Sequence, residues 1–169
     1  MEEIIQNKVA ESGIMTLNLE NFLATNYVVL DIQPFLFMGL ILKEKDFRKS
    51  LQEHDWTLYQ DKNVIISCSA DAIIPVWAYM LLSSYLQGIA THIVQGTEEE
   101  GKTKLLLHQI NSMQVDEYED KRVVIKGCGE IPIPDEVYTA VTFKLKPVVK
   151  SLMYGEPCST VPIYKKKKI

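Results

Sequence analysis

Residues 64–68 (V-I-I-S-C) constrain the fold more than any other part of the chain. The run follows Asp61-Lys62-Asn63 and gives way to small and polar residues. A short run that is apolar at successive positions buries both of its faces, which is how a central strand of a parallel sheet reads. Parallel strands need long crossover connections, and the flanking sequence supplies them. Ser69-Ala70-Asp71-Ala72 leads into a predicted helix from about Pro75 to Leu86, with proline suited to a helix's first turn. Residues 27–32 (Y-V-V-L-D-I), 92–95 and 121–126 (K-R-V-V-I-K) read as further short strands.

The intervening segments read as helices. Over 44–55, Phe47 and Leu51 stand four apart on one face below an acidic first turn. Thr97-Glu98-Glu99-Glu100 fits a capping box, and the helix it opens carries Leu106, Ile110 and Met113 along one stripe. Pro134 and Asp135 open another, with Asp135 expected as its cap. There Val137, Val141, Leu145, Val148 and Leu152 keep helical spacing, and Pro147 should kink or divide it. Strands alternating with helices predict an α/β fold: a single domain over 1–154 with a mostly parallel or mixed sheet and helices on both faces. The length of 169 residues suits one domain. Residues 155–169, with Gly155, Pro157 and Pro162, are expected to form an extended tail packing back on the domain, its last residues basic and frayed. No internal repeat is read.

Two stretches, 35–42 and 73–82, are apolar on nearly all sides, too short to span a bilayer, and expected in the core. The net charge of −4 leaves no electrostatic footprint for general nucleic-acid binding. Four lysines at 165–168 read either as a solubilising end or as a contact for an acidic partner. The start, Met1-Glu2-Glu3, has no apolar signal region. An odd count of three cysteines fits reduced thiols. A cytoplasmic location without membrane contact is expected. Neither a Walker A pattern nor G-x-G-x-x-G occurs.

Chemistry is expected at the carboxyl ends of the strands, where ligands bind in open α/β sheets. Cys68 and Cys128 each end a predicted strand, Cys128 between two glycines, and Cys158 lies in Gly155-Glu156-Pro157-Cys158-Ser159-Thr160-Val161-Pro162. Three thiolates and one more ligand would hold zinc or an iron–sulfur cluster. Asp71, Glu156, His92, His108 or water are the candidates for the fourth position. The cysteines lie 60 and 30 residues apart, without the local pairs of structural zinc sites. They read equally as three separate buried thiols. A nucleophilic Cys68 or Cys128, activated by the following helix's N-terminus and assisted by Asp71 or a histidine, would make a transferase or hydrolase. A structural or interaction module, including a homodimer, is the third class, with residues 73–82 as its apolar surface. Gly127-Cys128-Gly129 is either a tight turn or an anion-binding loop.

The segments Cys68-Ser69-Ala70-Asp71-Ala72-Ile73-Ile74-Pro75-Val76-Trp77-Ala78-Tyr79, Lys126-Gly127-Cys128-Gly129 and Gly155-Glu156-Pro157-Cys158-Ser159-Thr160-Val161-Pro162 resemble the hallmarks of domain-of-unknown-function family 2480. Leu42-Lys43-Glu44-Lys45-Asp46-Phe47-Arg48 and His54-Asp55-Trp56 resemble it too, so the likeness covers almost the whole chain. The resemblance implies a small cytoplasmic protein of Bacteroidetes-type bacteria whose gene lies beside those of the sulfur-mobilisation system. That implies in turn a metal- or cluster-binding accessory protein, with Cys68, Cys128 and Cys158 as ligands and Asp71 as fourth or supporting group. Iron–sulfur assembly proteins would be its partners.

Overall fold

The full alternation is seen in a computed structural model, which describes residues 13–127, 129–156 and 158–167. The order is β1 (Ile14–Leu17), β2 (Tyr27–Asp31), α1 (Glu44–Glu53), β3 (Asn63–Ser67), α2 (Val76–Leu86), β4 (His92–Gln95) and α3 (Glu98–Ser112). Then follow β5 (Arg122–Lys126), α4 (Asp135–Leu145), β6 (Ser151–Glu156) and β7 (Ser159–Lys165). The fold is α/β. The strands make two sheets rather than one, ordered β2-β3-β4 and β1-β5-β6-β7. Correspondingly the chain divides into an inserted unit, Ala24–Leu105, and an outer unit formed by the residues before and after it.

In the inserted unit all strands are parallel and β3 is central. Val64, Ile65 and Ile66 are fully buried, as a strand covered on both faces must be. Phe47 and Leu51 of α1, with Ala78, Leu82 and Leu86 of α2, pack with Val64 and Ile66 on one face. On the other, α3 rides so close that a Cβ on Gly101 would lie 2.4 Å from the Ile65 side chain. Glycine at 101 is what permits that approach. The capping box forms as expected: Thr97 N–H donates to Glu100 Oε2 at 2.9 Å, and Glu100 N–H to Thr97 Oγ1 at 3.2 Å. In the outer unit β1, β5 and β6 are parallel, and β7 returns antiparallel to β6. Val123, Ile125 and Leu152 pack with Leu106 and Ile110 of α3 and Val137, Val141 and Leu145 of α4.

The two units are one motif used twice. Residues 59–96 correspond without a gap to residues 118–155, 59 positions on. Asp61 and Asp120 both adopt left-handed backbone, φ 57° and 55°, which aspartate tolerates better than most residues. Their N–H groups donate to Ile89 and Val148 carbonyls, both at 2.9 Å. Thr91 N–H donates to Lys62 O as Lys150 N–H does to Lys121 O. Pro75 and Pro134 both precede the first helical residue. Asn63 pairs with His92 and Arg122 with Ser151. The same shift carries Phe47 and Leu51 onto Leu106 and Ile110. β1 stands beside β5 as β2 stands beside β3, so the outer unit takes its first strand from ahead of the inserted unit. Ten of these 38 residue pairs are identical, too few to mark a repeat without the register that the hydrogen bonds supply.

Several expectations are corrected. The helical spacing from Val137 to Leu152 runs past its helix: α4 stops at Leu145, before Pro147, and Leu152 is a buried strand residue of β6. Residues 159–165, expected as an extended tail, are β7. Lys166 backs onto the sheet through Lys150 O and bridges to Asp120 at 3.3 Å. Asp135 opens α4 without capping it, since the cap residue is Pro134. Residues 35–42 turn back on themselves through a Phe37–Ile41 bridge and leave Met38 80 % exposed. In α2 only the stripe Ala78, Leu82, Leu86 is buried, because one stripe is all that a single sheet face covers, and Val76 and Met80 stand out in solvent.

The repeat makes a matched prediction. Leu86 and Leu145 are equivalent and both fully buried. Leu86→Ala and Leu145→Ala should each cost about 3 kcal/mol by urea unfolding of the full chain, the range for a leucine cavity. A loss below about 1 kcal/mol at either position would contradict the packing described.

Candidate functional site

A cleft of about 290 Å³ opens at the carboxyl ends of β1, β5 and β6 in the outer unit, the edge at which α/β sheets bind ligands. Lys126 ends β5, Asp135 and Tyr138 come from the first turns of α4, Tyr154 from β6, and Asn18 and Glu20 from the turn after β1. Gly127 and Gly129 line it as well.

The turn after β5 is held from two sides. Glu20 Oε1 accepts the Ile131 N–H at 2.8 Å, and Asn18 Nδ2 donates to Glu20 Oε2 at 3.3 Å. A Cβ on Gly129 would lie 2.2 Å from Glu20 Oε1, and one on Gly127 would lie 2.7 Å from the Tyr154 ring. Both glycines are therefore required by close approach. Tyr154 Oη donates to Gly127 O at 3.4 Å, and its ring meets Tyr138 edge-on at 5.6 Å between centroids. The Ile131 N–H, then the Asn18 amide, hold the Glu20 carboxyl below its ordinary value near 4.5.

The residues singled out from the sequence are distributed as follows. Cys68 follows β3 in the inserted unit, half-buried, with its thiol donating to Ala70 O at 3.6 Å. It lines a cleft of about 250 Å³. Asp71 is exposed and outside that lining, and no bond joins it to Cys68. Cys158 is exposed in the turn between β6 and β7 of the outer unit. Cys128 lies outside the described residues. His92 begins β4, opposite Asn63, and so sits at the far end of the inserted sheet from Cys68, roughly 16 Å along the strand. His108 is exposed on α3. Among the described residues, no group of three or more His, Cys, Asp or Glu side chains is placed to hold a metal ion. Glu156 Oε1, at the end of β6, is buried and has no hydrogen-bond partner among the described residues. Among the described residues no helix is long and apolar enough to cross a membrane.

Residues 3–166 match the family described as "Protein of unknown function (DUF2480)". The chain belongs to this family. No curated protein and no solved structure matches it. The family description carries no reaction, so the DUF2480 chain must be read from its own geometry.

Sequence reasoning missed Asn18, Glu20, Lys126, Tyr138 and Tyr154 as cleft residues. β1 is four residues long and carries Thr16 among its apolar positions, so Glu20 had no recognised strand to follow. The others carried no local signal, because the 59-residue repeat that pairs Tyr138 with Tyr79 emerges only from the hydrogen-bond register.

Because its folded value is lowered, Glu20 keeps its tie to the turn above the ordinary carboxyl range and loses it only as pH falls through the lowered value. The Ile131 amide resonance should therefore titrate with a midpoint below 4.5, and Glu20→Gln should abolish that titration. A midpoint at or above 4.5 would show that Ile131 does not bond Glu20 in solution.

Proposed function

We propose that this chain binds a small polar molecule in the outer unit's cleft and that Cys128 reacts with it, as the nucleophile of a transferase or hydrolase. The observation that carries this is the position of Gly127 and Gly129, the sequence neighbours of Cys128, in the lining of a cleft at the carboxyl edge of a parallel sheet. Helix α4, 11 residues long, begins six residues after Gly129, and a helix N-terminus favours a thiolate. The Lys126 ammonium adds positive charge to the same lining. The thiolate sulfur would attack an electrophilic carbon, whose leaving group departs with a proton. Water in a hydrolase, or an acceptor nucleophile in a transferase, would then displace the thiol. Glu20 is committed to the turn by its bond to Ile131, and Tyr154 Oη is bonded to Gly127 O, so the proton carrier in this reading is Asp135, which lines the same cleft.

The test is alkylation by iodoacetamide as a function of pH, read at each cysteine by peptide mass spectrometry. Cys128 should titrate at least about one unit below the ordinary thiol value of about 8.5. Three cysteines reacting as ordinary thiols would remove the proposal.

One observation favours a metal as the ligand. Buried carboxylate oxygens are almost always bonded, and Glu156 Oε1 has no partner among the described residues. Lys126 pairs with Gly155, so the segments that carry Cys128 and Cys158 leave the same end of the same sheet. Zinc or an iron–sulfur centre held by Cys128, Cys158 and Glu156 would satisfy that oxygen. An accessory role beside iron–sulfur assembly proteins belongs to this reading. Cys68 and Asp71, in the other unit, are not among these ligands. Protein purified anaerobically should then carry about one metal site per chain, Cys128→Ser and Cys158→Ser should each lose it, and Cys68→Ser should keep it. Metal-free wild-type protein, or full occupancy in both of the first two variants, would overturn the reading.

A further inference from the structure

The inserted unit's cleft occupies the place in its repeat that the outer cleft occupies in the other. Under the 59-residue shift Lys126, Gly129, Tyr138 and Tyr154 become Ser67, Ala70, Tyr79 and Gln95, and all eight residues line their respective clefts. Two openings found at the same carboxyl edge, above the same turn and beside the same tyrosine, are a property of the motif rather than an accident of one surface.

Their chemistry differs in one respect. The outer cleft presents Lys126, Glu20 and Asp135, whereas no charged side chain lines the inserted one. Ser67 replaces Lys126, and Val76, the residue equivalent to Asp135, is not in the lining. Three charges nearby are already engaged. Asp31 accepts from Ser69 N–H and Oγ at 3.0 and 2.6 Å. Glu100 is taken by Thr97 N–H, and Lys104 Nζ donates to Gln95 O at 2.5 Å. The Cys68 thiol is itself a donor, to Ala70 O. What faces the opening is hydroxyl, amide, thiol and apolar surface.

We infer that the inserted unit is a second small-molecule site, equivalent in the repeat to the first but without charge, and that its ligand is a neutral molecule bearing amide or hydroxyl groups. This does not depend on Cys128 or on any metal. A charged ligand would lose hydration there without gaining a counter-charge, whereas a neutral amide can bond Ser67, Gln95 and Tyr79.

The experiment is amide-resolved NMR titration of the full chain with propanamide, propanoate and propylammonium, probes of one size and different charge. Propanamide should shift the Cys68, Ala70 and Thr97 amides at concentrations at least ~tenfold below those needed with the two ions. Ser67→Lys, which installs the other unit's residue, should reverse the order in favour of propanoate. Gln95→Lys, at an exposed position, makes the same test if the first variant does not fold. Equal responses to the three probes, no response to any of them, or an unchanged order in a folded lysine variant would overturn the inference.

Discussion

The architecture depends on two central strands that water does not reach. Val64-Ile65-Ile66 and Val123-Val124-Ile125 are each at most 2 % exposed. Strands buried on both faces are the mark of a parallel sheet, whose neighbours here are joined by crossover helices that cover the faces of the sheet. In both units the chain leaves such a strand at its carboxyl end, takes eight residues to reach the next helix, and enters it behind a proline. None of the described connecting residues is fully buried. They make the rims of the two clefts, so the clefts follow from the burial of the strands.

The motif explains which differences between the units carry meaning. Residues at the core positions change only in size: Ala78 for Val137, Leu82 for Val141, Leu86 kept as Leu145. Residues at the strand ends change in kind: Ser67 for Lys126, Gln95 for Tyr154, Cys68 for Gly127. Packing restrains the former, since a buried side chain must fill its volume. Nothing in the packing restrains the latter, so the chemistry of each rim is free to diverge on a common scaffold.

How much of this was legible follows the same line. The central strands β3 and β5, with α1, α2 and the capping box of α3, were readable because their signals are local: continuous burial, 3.6-residue spacing, a Thr97–Glu100 pair. What failed was non-local. β1 is recognisable only by its pairing with β5, 108 residues later (Ile14 to Arg122). Leu152 fell on the helical phase by coincidence, and no local property separates a buried helix residue from a buried strand residue there. The exposure of Val76 and Met80 came from the same gap, because the number of covered faces is set by tertiary arrangement. Cys68 was legible as a residue at a strand end, and Cys158 was not, because β6 and β7 were not read as strands. Their division between units was not, because the boundary at Leu105 falls inside an unbroken helix.

The two glycines around Cys128 show why a motif seen in sequence needs its surroundings. Read alone, G-C-G is a tight turn or an anion loop. In the fold, close approach accounts for both flanking glycines. One is glycine because the Tyr154 ring lies against it, and the other because the Glu20 carboxylate does. The inserted unit keeps the turn but has Cys68 and Ala70 at these positions, where Gln95 stands in place of Tyr154 and Asp31 holds the turn through Ser69. Side chains are accommodated there, Cys68 and Ala70 packing partly buried against the core. The outer turn thus carries two constraints that its twin escaped, and both come from residues that also line the cleft. The geometry at Cys128's neighbours and the lining of the cleft are therefore one arrangement, and a change to Glu20 or Tyr154 acts on both.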